Sequence, residues 1–266
     1  TNYIRNPLDF YKRSVLGIKE FKEIEETVAA NTFGTIVHDT LEQLYLPFLN
    51  KTLQIRDVKQ MILLVDDEVT RQFKKSYSSK AITSGKNFLA YEIAKQFVLN
   101  FLNFELRELK QGKIIKILGL EVPIEMFHFV KGIGMKVKLR GKIDRIDQVN
   151  GVFRIMDYKT GKVTKTQLKI NDWSLLSSNE KYSKSFQVLT YAYMYLHQNK
   201  ISVQEVSLES GVISFKNLKD GFMAFNGGLI TEESVSNFIL ELDHLIMEIF
   251  DRNVPFQEKE LPVFNF

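Results

Sequence analysis

Two carboxylates and a lysine in the segments Gly141-Lys-Ile-Asp144-Arg-Ile-Asp147 and Ile155-Met-Asp157-Tyr-Lys159-Thr-Gly161 are the residues best placed by type and spacing to do chemistry. Between the segments stands Asn150-Gly151, a two-residue hairpin signal, because a type I′ turn requires positive φ at both central positions. Residues equidistant from such a turn oppose each other, so Asp144, six before Asn150, is expected beside Asp157, six after Gly151. Two carboxylates about 4 Å apart repel by roughly 4 kcal/mol at an effective dielectric of 20, and a bound cation removes the conflict. Magnesium takes oxygen ligands of this kind, one or two carboxylates with waters and substrate oxygens around them. Lys159 lies two residues after Asp157 and so shares its face of the strand, where an ammonium can orient a water or stabilise developing negative charge. Metal-assisted phosphodiester cleavage needs this set, since a hard cation lowers the pKa of water and polarises the phosphoryl oxygen. The bland alternative is a pair of strand-end acids held by Arg145, Arg154 or lysines.

The elements that must position these groups are legible in the hydrophobic pattern. Ile36, Val37, Leu41, Leu44, Tyr45 and Phe48 form the apolar stripe of a helix over about 33–48, with Asn31-Thr32 as its expected cap and His38, Asp39 and Glu42 flanking the stripe. Two further helices are expected over about 57–77 and 87–110, after which β-branched and aromatic residues over 114–130 and 135–149, separated by Gly132 and Gly134, predict strands. An amphipathic helix over 183–197 should cover one face of the sheet. A second hairpin is expected from 203–215 and 221–225, and Thr231-Glu-Glu-Ser opens a last helix to about Phe250. The first twenty residues read as an aromatic-rich helix and turn. The polar stretch 163–180, with Trp173 as an exposed aromatic or a wedge, is the expected mobile loop.

At 266 residues, 44% hydrophobic and 26% charged, the chain fits one large domain. No run of eighteen apolar residues occurs, so a membrane-embedded protein is not expected. The net charge of +4 permits a polyanionic partner. Lys159, Lys162, Lys165 and Lys169 crowd eleven residues next to the acids, where they either attract phosphates or form a solvated loop. With no cysteine, thiolate zinc sites, iron–sulfur clusters and cysteine nucleophiles are excluded. Thr160-Gly161-Lys162 lacks the upstream glycine of a phosphate-binding loop, Ser210 lacks the first glycine of a nucleophile elbow, and His128, His197 and His244 have no zinc spacing. The start, Thr-Asn-Tyr-Ile-Arg, carries neither initiator Met nor signal region, which suggests a piece of a longer, cytoplasmic polypeptide.

Gly-x-x-Asp-Arg-Ile-Asp followed by Asp-Tyr-Lys-Thr-Gly resembles the RecB-type branch of the PD-(D/E)XK nuclease superfamily. Two further motifs of that family are matched in order, Gly34-Thr-Ile-Val-His38-Asp-Thr-Leu41-Glu42 and Gln187-Val-Leu-Thr-Tyr191. The resemblance implies an α/β, restriction-endonuclease-like core with a central mixed β-sheet flanked by helices, plus a helical N-terminal elaboration. A single nuclease domain is then expected over 1–266, with the elaboration at about 50–110 and the catalytic core at about 30–49 and 114–215. By the same resemblance His38, Asp144, Asp157 and the Tyr158 backbone carbonyl hold Mg²⁺ or Mn²⁺, and Lys159 assists the water. Glu42, one turn beyond His38, either steadies it, meets a second metal or faces solvent. Gln187 and Tyr191, on one helix face, contact the DNA backbone or brace the lysine unless they are an ordinary packing pair, and Lys162 contacts substrate. Many relatives hold an iron–sulfur cluster through a cysteine near the start and three near the end; this chain has none, so hydrophobic contacts must join its termini if they meet. The expected activity is DNA hydrolysis, as an exonuclease within a recombination or repair helicase–nuclease, with a helicase domain or subunit as partner. A DNA-binding or architectural module that keeps the fold without cleaving is the competing class, and an RNA nuclease a third.

Overall fold

The computed structural model describes residues 2–18, 30–76 and 85–259. Its centre is one five-stranded mixed sheet with strands β1 (Ile115–Val130), β2 (Met135–Val149), β3 (Val152–Lys159), β4 (Leu208–Ser214) and β5 (Phe222–Ala224), in that spatial order. All neighbours run antiparallel except β3 and β4, whose parallel pairing requires the crossover that holds helix α6 (Ser183–Asn199). One face packs on α3 (Ala30–Tyr45), α4 (Ile55–Ser76) and α5 (Gly85–Lys110); the other packs on α6 and α7 (Glu232–Phe250). This is the restriction-endonuclease-like α/β architecture, with α4 and α5 as the helical addition.

The periodicities explain both layers. On α4 the buried residues Val58, Met61, Val65, Val69 and Phe73 recur every three or four positions and meet Tyr91, Ala94, Val98, Phe101 and Leu102 of α5. Truncating a fully buried ring such as Phe101 would cost about 3–5 kcal/mol. Thr231 caps α7 with the reciprocal Thr231–Ser234 capping box. Helix α3 already includes its Asn31-Thr32 signal among the described residues, and a short 3₁₀ turn, Leu46–Phe48, completes it. The expected end of the second helix at Tyr77 lies outside the described residues. Strand β4 begins at Leu208 rather than near 203, and it does pair antiparallel with β5.

The 163–180 stretch is not a free loop. Val163, Leu168, Ile170 and Leu176 are buried in the core, Ile170 donates its N–H to Asn226, and Trp173 packs on the Phe225 ring at 5.9 Å. Apolar residues spaced through a polar sequence pin it as a series of short 3₁₀ turns.

The termini do meet. Phe256 stacks on Tyr11 with centroids 4.8 Å apart and touches Tyr3 and Phe10, while the Leu8 N–H donates to the Gln257 carbonyl at 3.3 Å. Tyr3 lies on α1 (Asn2–Arg5) and donates its hydroxyl to Glu248 of α7 at 2.8 Å; Phe10 ends α2 (Pro7–Phe10).

Candidate active site

Asn150 and Gly151 both have positive φ, 50° and 90°, so the hairpin turn forms as its sequence demands. Its register continues to Arg145 opposite Met156. There the regular ladder ends, and Asp144 turns its carboxylate to accept the Tyr158 N–H at 2.6 Å while Asp157 runs on in the parallel ladder opposite Val212. The two aspartates are the next residues beyond the Arg145–Met156 pair, and the charge of Asp144 acts on the Asp157 carboxyl.

Donor atoms of His38, Glu121 and Asp144 come together, all within 4.8 Å of one another. His38 on α3 has Nδ1 3.5 Å from Asp144 and 3.9 Å from Glu121, and its Nε2 donates to the Tyr158 carbonyl at 3.1 Å. Asp157, outside this trio, is buried and engaged by Lys159 Nζ at 2.7 and 2.9 Å. Its Oδ2 has this ion pair but no directed hydrogen bond.

Glu121 escaped the sequence reading, although a signal existed. Val130 and Met135 close the β1–β2 turn, and Glu121 lies nine residues before the first as Asp144 lies nine after the second. An extra residue, Leu118, shifts the register farther down the ribbon, and the four-residue turn left its centre ambiguous. Glu121 is held at φ 47°, a left-handed conformation costing a residue with a side chain about 1 kcal/mol or more, the kind of strain that gathers at functional sites.

The electrostatics match a site built for a cation. Burial raises the Glu121 carboxyl above its ordinary range, with Asp144 adding to it against an ion pair with Lys142. Burial also raises Asp157, opposed by Lys159 and reinforced by Asp144. For His38 burial works downward, but the hydrogen bond and charge of Asp144, with Asp157 and Glu121 behind it, carry the imidazole above its ordinary value. Lys184, near the start of α6, is pushed down by burial and by Lys159, and among the described residues no carboxylate pairs with it.

His38, Glu121 and Lys184 line the wall of a cleft of about 550 Å³ together with Lys142, Lys159 and Lys162. Glu42 is outside both the cluster and this wall. Gln187 and Tyr191 also lie off the wall; they bond to each other at 3.0 Å, and Tyr191, its hydroxyl pushed to about 12 chiefly by burial, packs on Gly141, where a Cβ would come within 2.9 Å of the ring. They brace β2 from the face opposite α3. The arginines suspected of neutralising the active acids serve Asp147 instead: Arg145 and Arg154 approach it at 2.7 and 2.8 Å.

A divalent ion fits this donor set. Hard carboxylate oxygens of Glu121 and Asp144 gather with a His38 ring nitrogen, and Asp157 Oδ2 is buried without a directed partner, so these residues would suit a hard divalent cation.

A mixed sheet with an acid cluster and a lysine at the end of its central hairpin defines a restriction-endonuclease-like nuclease core. The model of the PD-(D/E)XK nuclease superfamily matches residues 1–261, and the chain belongs to that superfamily. It is 27% identical over 231 residues to an ATP-dependent helicase/deoxyribonuclease subunit of Clostridium novyi, covering 80% of this chain and 19% of that protein. Uncharacterized proteins of Rickettsia bellii and Rickettsia typhi are 23% and 26% identical over 175 and 177 residues, covering 63% and 62% of the chain. The chain spans about a fifth of the length of these curated relatives. Among the described residues no helix is long and apolar enough to cross a membrane.

Proposed function

We propose that this chain is a Mg²⁺- or Mn²⁺-dependent deoxyribonuclease, acting as an exonuclease module beside a helicase domain or subunit on cytoplasmic DNA in recombination or repair. The observation that carries the reading is the gathering of His38, Glu121 and Asp144 where His38 and Glu121 line a lysine-rich cleft, with Asp157 held by Lys159 of the same lining. The helicase context draws on the similarity to the Clostridium novyi helicase/deoxyribonuclease.

In this proposal Asp144, Asp157, His38 and the Tyr158 carbonyl hold the ion, and Glu121 joins them. The ion would supply charge neutralisation at phosphorus and a more acidic water. Asp144 is pre-aimed by the Tyr158 N–H, which ties the ligand to the strand that carries Asp157. Lys159 keeps its ammonium against Asp157 and is positioned to hold the attacking water or meet charge developing on the phosphoryl oxygens. Lys162 and Lys184, both in the lining of the cleft, offer cations to the flanking phosphates.

The test is cleavage of single- and double-stranded DNA in Mg²⁺ and in Mn²⁺ by the native chain, Asp157→Ala and Lys159→Ala. Product from the native protein alone is expected. Binding of DNA without product under either ion would remove the nuclease reading and leave a DNA-binding module.

A further inference from the structure

The β1–β2 ribbon extends well beyond the cleft, and its two faces differ sharply. Ile124, Met126, His128 and Val130 of β1 point inward; His128 is clamped between the Tyr193 hydroxyl at 2.9 Å and Asp243 at 2.5 Å. By strand alternation the other face carries Pro123, Glu125, Phe127 and Phe129, opposite Lys142, Arg140, Lys138 and Lys136 of β2 in that order. All eight are exposed, and Phe127 and Phe129 leave 62% and 51% of their surface to solvent.

We propose that this outer face is a track for single-stranded DNA leading into the cleft, an inference that rests on the nuclease reading above and specifies the form of its substrate. The column of cations begins at Lys142, which lines the cleft and pairs with Glu121 of the cluster, and continues outward through Arg140, Lys138 and Lys136. Alternate residues of a strand are about 6.7 Å apart, so these four cations form an evenly spaced row about 20 Å long. Such a row matches the regular charge of an extended phosphodiester backbone. Glu125 is the one acid in these four rows, and it is held by Lys138 at 2.8 Å. Among the described residues neither Lys136 nor Arg140 has a carboxylate partner, so both remain available to phosphates.

The rings decide between single and double strands. Two phenylalanines exposed beside a row of cations are a stacking platform for unpaired bases, whereas a duplex keeps its base faces inside and can use only the cations. Lys138, with Nζ 6.0 Å from the Phe127 ring centroid, links the two columns. A protein partner would be expected to meet a broader apolar patch than two rings hemmed by four cations. Because the track ends at the cluster, a strand lying on it feeds its end toward Asp144 and Asp157.

The experiment measures fluorescence anisotropy of a labelled oligonucleotide, single-stranded or as a blunt duplex, in Ca²⁺ and in EDTA. The proteins are the native chain, Phe127→Ala/Phe129→Ala, Phe127→Trp/Phe129→Trp and Lys136→Gln/Lys138→Gln/Arg140→Gln, each checked by thermal melting. The alanine pair is expected to weaken single-strand binding roughly tenfold or more with little change on duplex, and the tryptophan pair to bind at least as tightly as native. The glutamine triple should lower the slope of log affinity against log salt by roughly 0.7 for each phosphate it no longer neutralises. Native-level single-strand binding by the alanine pair, an equal loss on both substrates, or no binding by the native chain overturns the track. Absence of cleavage in Mg²⁺ and Mn²⁺ alongside ring-dependent binding would instead remove the nuclease reading and leave the track standing.

Discussion

Asp144 and Asp147 sit three residues apart in β2, yet their surroundings treat charge in opposite ways. Asp147 is fully buried beside Arg145, which also meets Glu105 of α5 at 2.6 Å and lies over the Tyr45 ring at 4.7 Å. Burial alone would raise the Asp147 carboxyl, but Arg145 and Arg154 hold it below its ordinary value. At Asp144 the neighbours are other acids, and the carboxyls of Glu121 and Asp157 are pushed up. Permanent cations close the first set from within. The second is left partly uncompensated and open to a cleft, the state expected of groups awaiting an ion. The lesson is that burial of charge in the Asp144-Arg145-Ile146-Asp147 run separates a closed network on the α5 side from an acid cluster beside the cleft.

The largest effect should come from breaking the closed network. Arg145→Met leaves Glu105 buried without its cation and is expected to cost about 3–5 kcal/mol in urea unfolding; Glu105→Met/Arg145→Met should recover much of that loss. A single variant as stable as native would dissolve the distinction. In the open cluster the cost should fall on rate rather than stability: Lys159→Ala and Asp144→Asn are expected to lower DNA cleavage by about 10²–10³-fold or more while their melting temperatures stay near native. Asparagine keeps an acceptor for the Tyr158 N–H, so unfolding would signal a structural role for the Asp144 charge. Next, Mn²⁺ at a hundredfold excess over its dissociation constant should stabilise the native protein by about 2.7 kcal/mol, and Asp144→Asn or Glu121→Gln should abolish the shift in a thermal melt. The smallest effect is with pH. Carboxyls raised in the folded state bind protons there first, so the metal-free protein should gain stability as pH falls through the raised range of Glu121 and Asp157. Asp147 is depressed, so stability should then fall as pH drops below about 3.8, the ordinary value at which unfolded Asp147 takes its proton. Asp157→Asn should diminish the gain and leave the acid-side loss.

Much of this was legible from local chemistry. The Asn150-Gly151 turn prescribes its own φ values, the Thr231 box starts a helix, and apolar stripes on α4 and α5 declare their buried sides. The motif residues His38, Asp144, Asp157 and Lys159 do converge on one end of the sheet. What the sequence concealed depends on contacts between distant segments. Asp144's bond from the Tyr158 N–H forms beyond the last Arg145–Met156 pair, Glu121 depends on the register of a ribbon with an irregularity at Leu118, and the partner of Arg145 comes from a helix some forty residues earlier. The polar 163–180 stretch misled because four well-spaced apolar side chains outweigh its loop-like composition.

The aromatic contact between the chain ends carries a consequence for the order of assembly. Tyr3 and Phe10 reach Phe256 only across almost the whole sequence, whereas the β1–β2 and β2–β3 hairpins and the α4–α5 pair join elements that are neighbours in sequence. Loop-closure entropy rises with separation, and a chain emerging residue by residue cannot form this contact until Phe256 is available. The sheet and its cleft can therefore take shape first, and the stacking of Phe256 on Tyr11 marks the moment at which the first helices are locked to the last.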